Sequence, residues 1–360
     1  MLIQAERLQA AIAHMLEAAG TDPTSAGIVA ADLLEANLQG HDSHGVQLAP
    51  RYVLNVLAGK LMPNAAVQVV QRTGAIIVAD GGMGFGQVVG RQAMELAIAS
   101  ARDTGLGLLA LRNVHHLGRI GAYGDQAVAA GMLSIHFVNA VSGPPVVAPF
   151  GGIEARFGTN PICIAVPPVA PVAPGGYPLI LDFATSALAI GKVRVAHATG
   201  SPVPEGSLVD HAGRPTTDPG VMYGEGPRGA LLPFGLHKGS GLALMCEILA
   251  GALTGGGTNQ PATAKDRGIV NGMLALVLDP ARFGDIEAFR AETAAMVAHV
   301  KAASPPGGPP VLVAGEKERI TKAERQRGGI PVPDATWAEL CSAAAEAGIP
   351  ADRLVALTGV

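Results

Sequence analysis

The chain is 360 residues long, with 49% apolar residues, 15% charged residues and a formal net charge of −4. So much apolar material fills an interior of two or three parts, while a small negative charge without runs of Lys or Arg leaves no electrostatic footprint for nucleic acid. No apolar stretch approaches the roughly 20 residues of a membrane span, and residues 1–7 lack the basic-then-apolar order of a signal peptide, so a cytoplasmic protein is expected.

The spacing of Leu8, Ile12, Met15 and Leu16 predicts a helix over residues 5–19. Asp22-Pro23 reads as cap and first turn of a second helix, 24–39, with Ile28, Ala31, Leu34 and Leu38 on one face. A third helix is expected over 48–57. A hairpin follows, with strands at 67–70 and 75–80 turned at Thr73-Gly74. Next come a helix at 88–102, a strand at 106–111, a helix at 121–130 and a strand at 133–138. Further strands are expected at 162–166, 179–183 and 273–278, with helices at 186–199, 239–253 and 286–303. The Pro-rich segment 167–177 reads as a loop. After 311–313 the chain returns to polar helices at 316–326 and 335–347.

Alternating strands and helices argue for an α/β (α+β) fold, a central mixed sheet with helices. The expected plan is a helical part, residues 1–70, packed with 311–360, around an α/β core at 71–310 that binds cofactor and substrate. Cys163, Cys246 and Cys341 are few, odd in number and far apart, as expected of free thiols in a reducing compartment.

Residues 80–90 follow a strand and open a helix, where a dinucleotide fingerprint belongs. The glycines are misplaced, however: Gly84-x-Gly86-x-x-x-Gly90 has one residue too many, and the next strand ends at Arg112-Asn113 without an acid for a ribose hydroxyl. A tight strand-to-helix turn accounts for them, and a Rossmann unit is not expected.

Two polar knots carry the chemistry. His41-Asp42-Ser43-His44-Gly45-Val46 sits where the second helix runs out, and Asn113 to Arg119 closes an apolar run. Histidine exchanges protons near neutral pH, and element ends are where scaffolds place such groups. Three readings stand: His41, His44 and Asp42 as metal ligands completed by His115 and His116; His44 as a general acid–base; or histidines that cap helix carbonyls. Thr159-Asn160-Pro161 offers a hydroxyl and an amide at a turn. Asp182 ends a buried strand, as a cap for the next helix or a ligand-facing acid. His237-Lys238-Gly239 opens an apolar helix, a setting suited to phosphate.

In order along the chain stand Ser43-His44-Gly45, His116-x-Gly118, Gly158-Thr159-Asn160-Pro161, Asp182-x-Ala184-Thr185-Ser186, Gly191-Lys192, His237-Lys238-Gly239 and Gly315-Glu316. This set resembles the type-2 malate/L-lactate dehydrogenase family, and the surrounding wording is most similar to its enterobacterial hydroxycarboxylate dehydrogenase branch. The resemblance implies a cytoplasmic homodimer with a non-Rossmann fold that uses NAD(H) or NADP(H) on a 2-oxo or 2-hydroxy acid, with no metal. It also implies His44 as proton carrier with Ser43 beside it, and His116 and Thr159 near the substrate; some members give the acid–base role to the position of His116. Cofactor contacts would come from His44, Gly118, Arg119, Ile120, the strand Ile180-Leu181-Asp182-Phe183-Ala184, His237, Lys238, Asn271, Gly315 and Glu316. Thr159 and Asn160 are expected to steady a developing oxyanion.

One position departs from the pattern. Many members read Ser-His-Gly-x-x-Arg, with that Arg on the substrate carboxylate; here it is Leu48. Either Arg51 or Arg119 takes the carboxylate, or Leu48 forms an apolar wall for a larger substrate. The rivals are a cyclic imine reductase of the same family and a metal-dependent hydrolase using His41, His44, His115 and His116.

Overall fold

The computed structural model describes residues 1–168, 176–263, 268–305 and 307–359. Its helices and strands follow in the order α1 Ala5–Ala18, α2 Pro23–Leu38, α3 Ala49–Leu57, β1 Gln68–Thr73, β2 Ile76–Asp80, α4 Gly86–Thr104, β3 Leu106–His115, α5 Gly121–Ala129, β4 Leu133–Val141, β5 Ile162–Val166, β6 Leu179–Phe183, α6 Ile190–Thr199, α7 His237–Cys246, β7 Val270–Leu278, α8 Ile286–Lys301, α9 Glu316–Gly328, α10 Asp334–Glu346 and α11 Ala351–Thr358. Shorter two-residue pairings join some of the loops. Of the expected loop 167–177, residues 169–175 lie outside the described residues.

The seven strands form one mixed sheet in the order β1-β2-β3-β7-β4-β5-β6. Only β2 and β3 run parallel, joined by α4 as the crossover; the other neighbours are antiparallel. Strand–helix alternation is therefore a fair guide to an α/β fold but a poor one to strand direction. Antiparallel neighbours need no helix between them. β3 runs past the expected end at Leu111 because β7 pairs with it as far as His115, so His115 belongs to a strand and not to a loop.

Two large apolar cores lie apart. One joins Leu8, Ile12, Leu33 and Tyr52 from the N-terminal helices to Ile330, Leu340 and Leu354 near the other end of the chain. Leu2–Ile3 pairs antiparallel with Ile330–Pro331 beside it. The other core packs Met94 and Tyr123 against Ile77, Leu109, Met273 and Val277 of the sheet. Each fully buried side chain of this size contributes about 1.5–3 kcal/mol.

Local chemistry sets the helix starts. Asp22 Oδ1 accepts from Thr24 N and Ser25 N, both at 3.0 Å, with Pro23 in the first turn; such a cap is worth about 1 kcal/mol. The helix expected from Ser186 begins instead at Ile190. Ser186 Oγ donates to Leu188 O at 2.6 Å and Ala187 N to Leu232 O at 2.8 Å, which ties this stretch to a neighbouring strand-like segment. The apolar helix near 239 starts at His237 and continues past Cys246 as a π-helical stretch, Glu247–Ala252.

Candidate active site

The His44 turn is clamped from three sides. Asn37, buried in the last turn of α2, accepts from Val46 N through Oδ1 at 2.8 Å and donates through Nδ2 to Asp42 Oδ1 at 2.6 Å. Gly45 is obligatory here, because a Cβ at that position would sit 2.1 Å from Asn37 Oδ1. Arg325 of α9 grips Asp42 with two bonds, Nη1 to Oδ1 at 2.6 Å and Nη2 to Oδ2 at 2.9 Å, the bidentate geometry at which guanidinium excels. From the third side, Gly191 of α6 brings backbone onto Ser43: a Cβ there would meet Ser43 Cβ at 2.4 Å.

Within this clamp Ser43 Oγ lies 3.0 Å from His44 Nδ1. The His44 ring stacks on His116, with centroids 5.7 Å apart. Tyr52 Oη bonds His116 Nδ1 at 2.7 Å, and Gln87 Nε2 donates to Tyr52 Oη at 3.0 Å. His115 turns away, its Nε2 accepting from Asn55 Nδ2 at 2.9 Å. Burial, with His41 and Arg119 nearby, lowers the His44 pKa to about 4. Burial also pushes His116 well below the ordinary range, helped by His44, His115 and Arg51.

His44 and Ser43 open onto a cavity of about 1010 Å³ walled also by Thr159, Gly118, Lys192 and Phe183. A second hollow of about 910 Å³ shares Gln39, His41, Arg119, Asp182 and Lys317 with it and extends to Gly315 and Ile180. Two adjoining lobes with a common wall suit an elongated two-part ligand such as a dinucleotide. Backbone approach is open at Gly118, whose positive φ of 73° and position against Gln87, 2.9 Å from a would-be Cβ, exclude a side chain. The residues present fit a nicotinamide cofactor.

Of the expected cofactor residues, His44, Gly118, Arg119, Ile120, Leu181, Asp182, Phe183 and Ala184 line the first lobe. Ile180 and Gly315 line the second. Asp182 also has a second task, and the remaining residues lie off both walls. Asp182 accepts from Gly121 N at 2.7 Å and so caps α5 across the sheet edge, not the helix that follows it in sequence. Asn271 spends both ends of its amide on Leu117 N and Asn139 O, which props the turn leading to Gly118. Glu316 accepts from Lys301 Nζ at 2.6 Å and from Val313 N. His237 and Lys238 are exposed in the first turn of α7 and line neither lobe.

Corrections are also needed among the substrate residues. Thr159 faces the cavity, but Asn160 is fully buried and its Nδ2 donates to Ala243 O and Glu247 Oε1, so its side-chain N–H groups are already engaged. Leu48 is 8% exposed within the helical core and lines neither lobe. Arg51 is exposed and absent from both walls, whereas Arg119 lies on both, paired with Asp125. Among the described residues no group of three or more His, Cys, Asp or Glu side chains is placed to hold a metal, so the four histidines do not converge as the hydrolase reading requires.

Sequence reasoning missed Asn37, Tyr52 and Gln87. Asn37 and Gln87 are polar groups on otherwise apolar helix faces, the one signal that marks them; Tyr52 carries no such signal. Lys192 stood in the motif set without a role. It lines the first lobe, and no ion pair engages it among the described residues.

A family model described as malate/L-lactate dehydrogenase matches residues 3–341. Hydroxycarboxylate dehydrogenase B of Escherichia coli K12 is 44% identical over 354 residues, covering 98% of this chain and 96% of that protein. The structure of sulfolactate dehydrogenase from Methanocaldococcus jannaschii superposes with a TM-score of 0.83 at 33% identity, covering 98% of this chain and 99% of that one. The structure of Δ1-piperideine-2-carboxylate reductase from Pseudomonas syringae pvar. tomato does so at 0.81 and 28%, covering 95% and 99%. The chain belongs to the malate/L-lactate dehydrogenase family. Its sheet, its clamped Ser43-His44 turn and its two-lobed cavity are to be read as those of a hydroxy acid dehydrogenase.

Proposed function

We propose that this protein moves a hydride reversibly between NAD(P)H and C2 of a 2-oxo or 2-hydroxy carboxylic acid. The observation that carries the reading is the His44 imidazole, held by Ser43 and His116 on the wall of the larger cavity. The nicotinamide supplies the hydride when bound. The chain's own part is to orient the acid, exclude water and move one proton. His44 takes the proton from the 2-hydroxyl in oxidation and returns it to the carbonyl oxygen in reduction. The Thr159 hydroxyl, on the same wall, donates to the oxygen as charge develops on it.

For the carboxylate, Lys192 is the cation best placed. It shares the cavity wall with His44, and the mate of Arg119 is already Asp125. The two lobes would hold the cofactor, NAD(H) or NADP(H), without a Rossmann unit. Gly86 supports that reading: a Cβ there would meet His116 O and Leu117 Cα at 2.4 Å, so the glycine run serves backbone packing. We place the helical part at 1–70 with 311–360 and the cofactor- and substrate-binding core at 71–310, in keeping with the separate apolar cores. A homodimer would cover the apolar face of α7 and its continuation, where Leu244, Met245 and Ile248 are each 45% exposed.

Loss of NADH and NADPH absorbance over a panel of 2-oxo acids and cyclic imine carboxylates tests the assignment. Turnover of 2-oxo acids supports it. Turnover of the imines alone favours the second reading, a cyclic imine reductase, to which the reductase neighbour lends its support.

A further inference from the structure

Two histidines stand at the site, and the dehydrogenase reading needs one proton carrier. We propose that Tyr52 is a positioning residue that locks His116 as a neutral imidazole protonated on Nε2, leaving His44 as the sole carrier. The inference rests on the dehydrogenase reading for its consequence, but the lock itself is a matter of hydrogen bonds.

The direction of those bonds follows from the donors. Gln87 Nε2 donates to Tyr52 Oη at 3.0 Å. The Tyr52 proton is then free to point at His116 Nδ1, 2.7 Å away, which accepts it. An imidazole that accepts at Nδ1 carries its proton on Nε2. Tyr52 is 0% exposed, and burial raises its phenol pKa, so the hydroxyl stays protonated and keeps donating. Turning the Gln87 amide over would reverse the chain. At present the unpaired atom is the Gln87 carbonyl oxygen; reversal would leave a buried N–H₂ in its place, and orphaned donors are the scarcer case.

His116 is thereby made a poor proton carrier. A second proton would have to enter at Nδ1, and Tyr52 would have to turn its hydroxyl off the ring toward no other bonded acceptor. The groups facing His116 oppose that charge too: the His44 ring stacked above, His115 beside it in the chain, and Arg51 of α3. His44 differs. Its Nδ1 partner is the Ser43 hydroxyl, which accepts or donates by rotating, so its ring gains and loses a proton without breaking the contact. In this arrangement His116 offers a fixed N–H, and the proton traffic runs through His44.

The test is a long-range ¹H–¹⁵N spectrum of the full chain labelled in histidine, with His116 assigned by its disappearance in His116→Gln. The wild type is expected to show His116 neutral at pH 7.5 with the proton on Nε2. Tyr52→Phe should release it into a mixture of tautomers and lower kcat about tenfold or more, as mispositioned imidazoles do, with NADH affinity changed less than about twofold. A proton on Nδ1 in the wild type overturns the proposal. So does a Tyr52→Phe protein with both tautomer and kcat unchanged. A wild type with the expected tautomer that turns over neither 2-oxo acids nor imines supports the lock and overturns the dehydrogenase reading.

Discussion

The His44 and His116 rings lie 14° from parallel with centroids 5.7 Å apart. Two imidazolium ions at that distance repel strongly, so the pair carries at most one positive charge near neutral pH. Burial lowers His44 to about 4. The neutral base that oxidation needs is therefore present throughout pH 6–9, while the imidazolium that reduction needs falls about tenfold per pH unit above that pKa. We expect kcat/KM for 2-hydroxy acid oxidation to be flat over this range and kcat/KM for 2-oxo acid reduction to decline. Initial rates in both directions at saturating cofactor decide it. Flat profiles both ways remove His44 as the donor.

His44→Ala should lower turnover by about 10² or more, the scale of a positioned acid–base group, and leave cofactor affinity nearly unchanged. Single-turnover kinetics and NADH titration separate the two effects. Near-normal turnover transfers the role to another group.

Lys192→Gln removes charge at the cavity wall without touching the histidines. KM for the 2-oxo acid should rise about tenfold or more, the loss of one charge-assisted contact of about 1.5–3 kcal/mol, with kcat reduced much less. An unchanged KM directs attention to Arg119.

Leu48→Arg places a guanidinium in the helical core, where Leu48 is 8% exposed. The expected result is a loss of several kcal/mol in stability, read as a lower urea midpoint. A folded variant of wild-type stability that gains activity on dicarboxylates would return position 48 to the substrate.

His136 is fully buried in β4, its Nε2 bonded to Ser134 Oγ at 2.9 Å, and burial alone lowers its pKa to about 3. The unfolded chain binds this proton near pH 6.5, well before the folded one does. Stability is thus fully present above pH 6.5 and is lost as pH falls toward 3, by about 3 kcal/mol at pH 4.5 from this residue. His136→Gln should show a weaker dependence of urea midpoint on pH between 7 and 4.5. An equal dependence assigns the acid loss to other groups.

Part of this site was legible in residue order alone. Ser43-His44-Gly45 stood out because a polar run at the end of an apolar helix has few structural duties. The glycines of 81–90 were readable as packing because their spacing fails the phosphate pattern, and Gly86 against His116 is the contact that needs them. Tyr52 was invisible for the opposite reason: an aromatic ring on an apolar face looks like any core residue until its hydroxyl finds His116. Leu48 misled because the family pattern places an Arg there. Only the packing of α3 against the C-terminal helices shows it facing the core. Asn271 and Glu316 lie off both cavity walls and bond within the protein, and sequence does not separate the two cases, since propping a loop and touching a ligand demand the same polar side chains.

The pairing of Leu2–Ile3 with Ile330–Pro331 has a consequence for how the molecule is made. The first helices emerge from the ribosome long before their partners, and Leu8, Ile12 and Leu33 have no Ile330, Leu340 or Leu354 to bury against until residues 330–354 have been made. Contacts of such sequence separation form slowly, and exposed apolar helices invite aggregation meanwhile. The sheet, closed by residue 278, is free to assemble first. The His44 turn, which waits on Arg325 for its anchor, then becomes ordered only after α9 has been made.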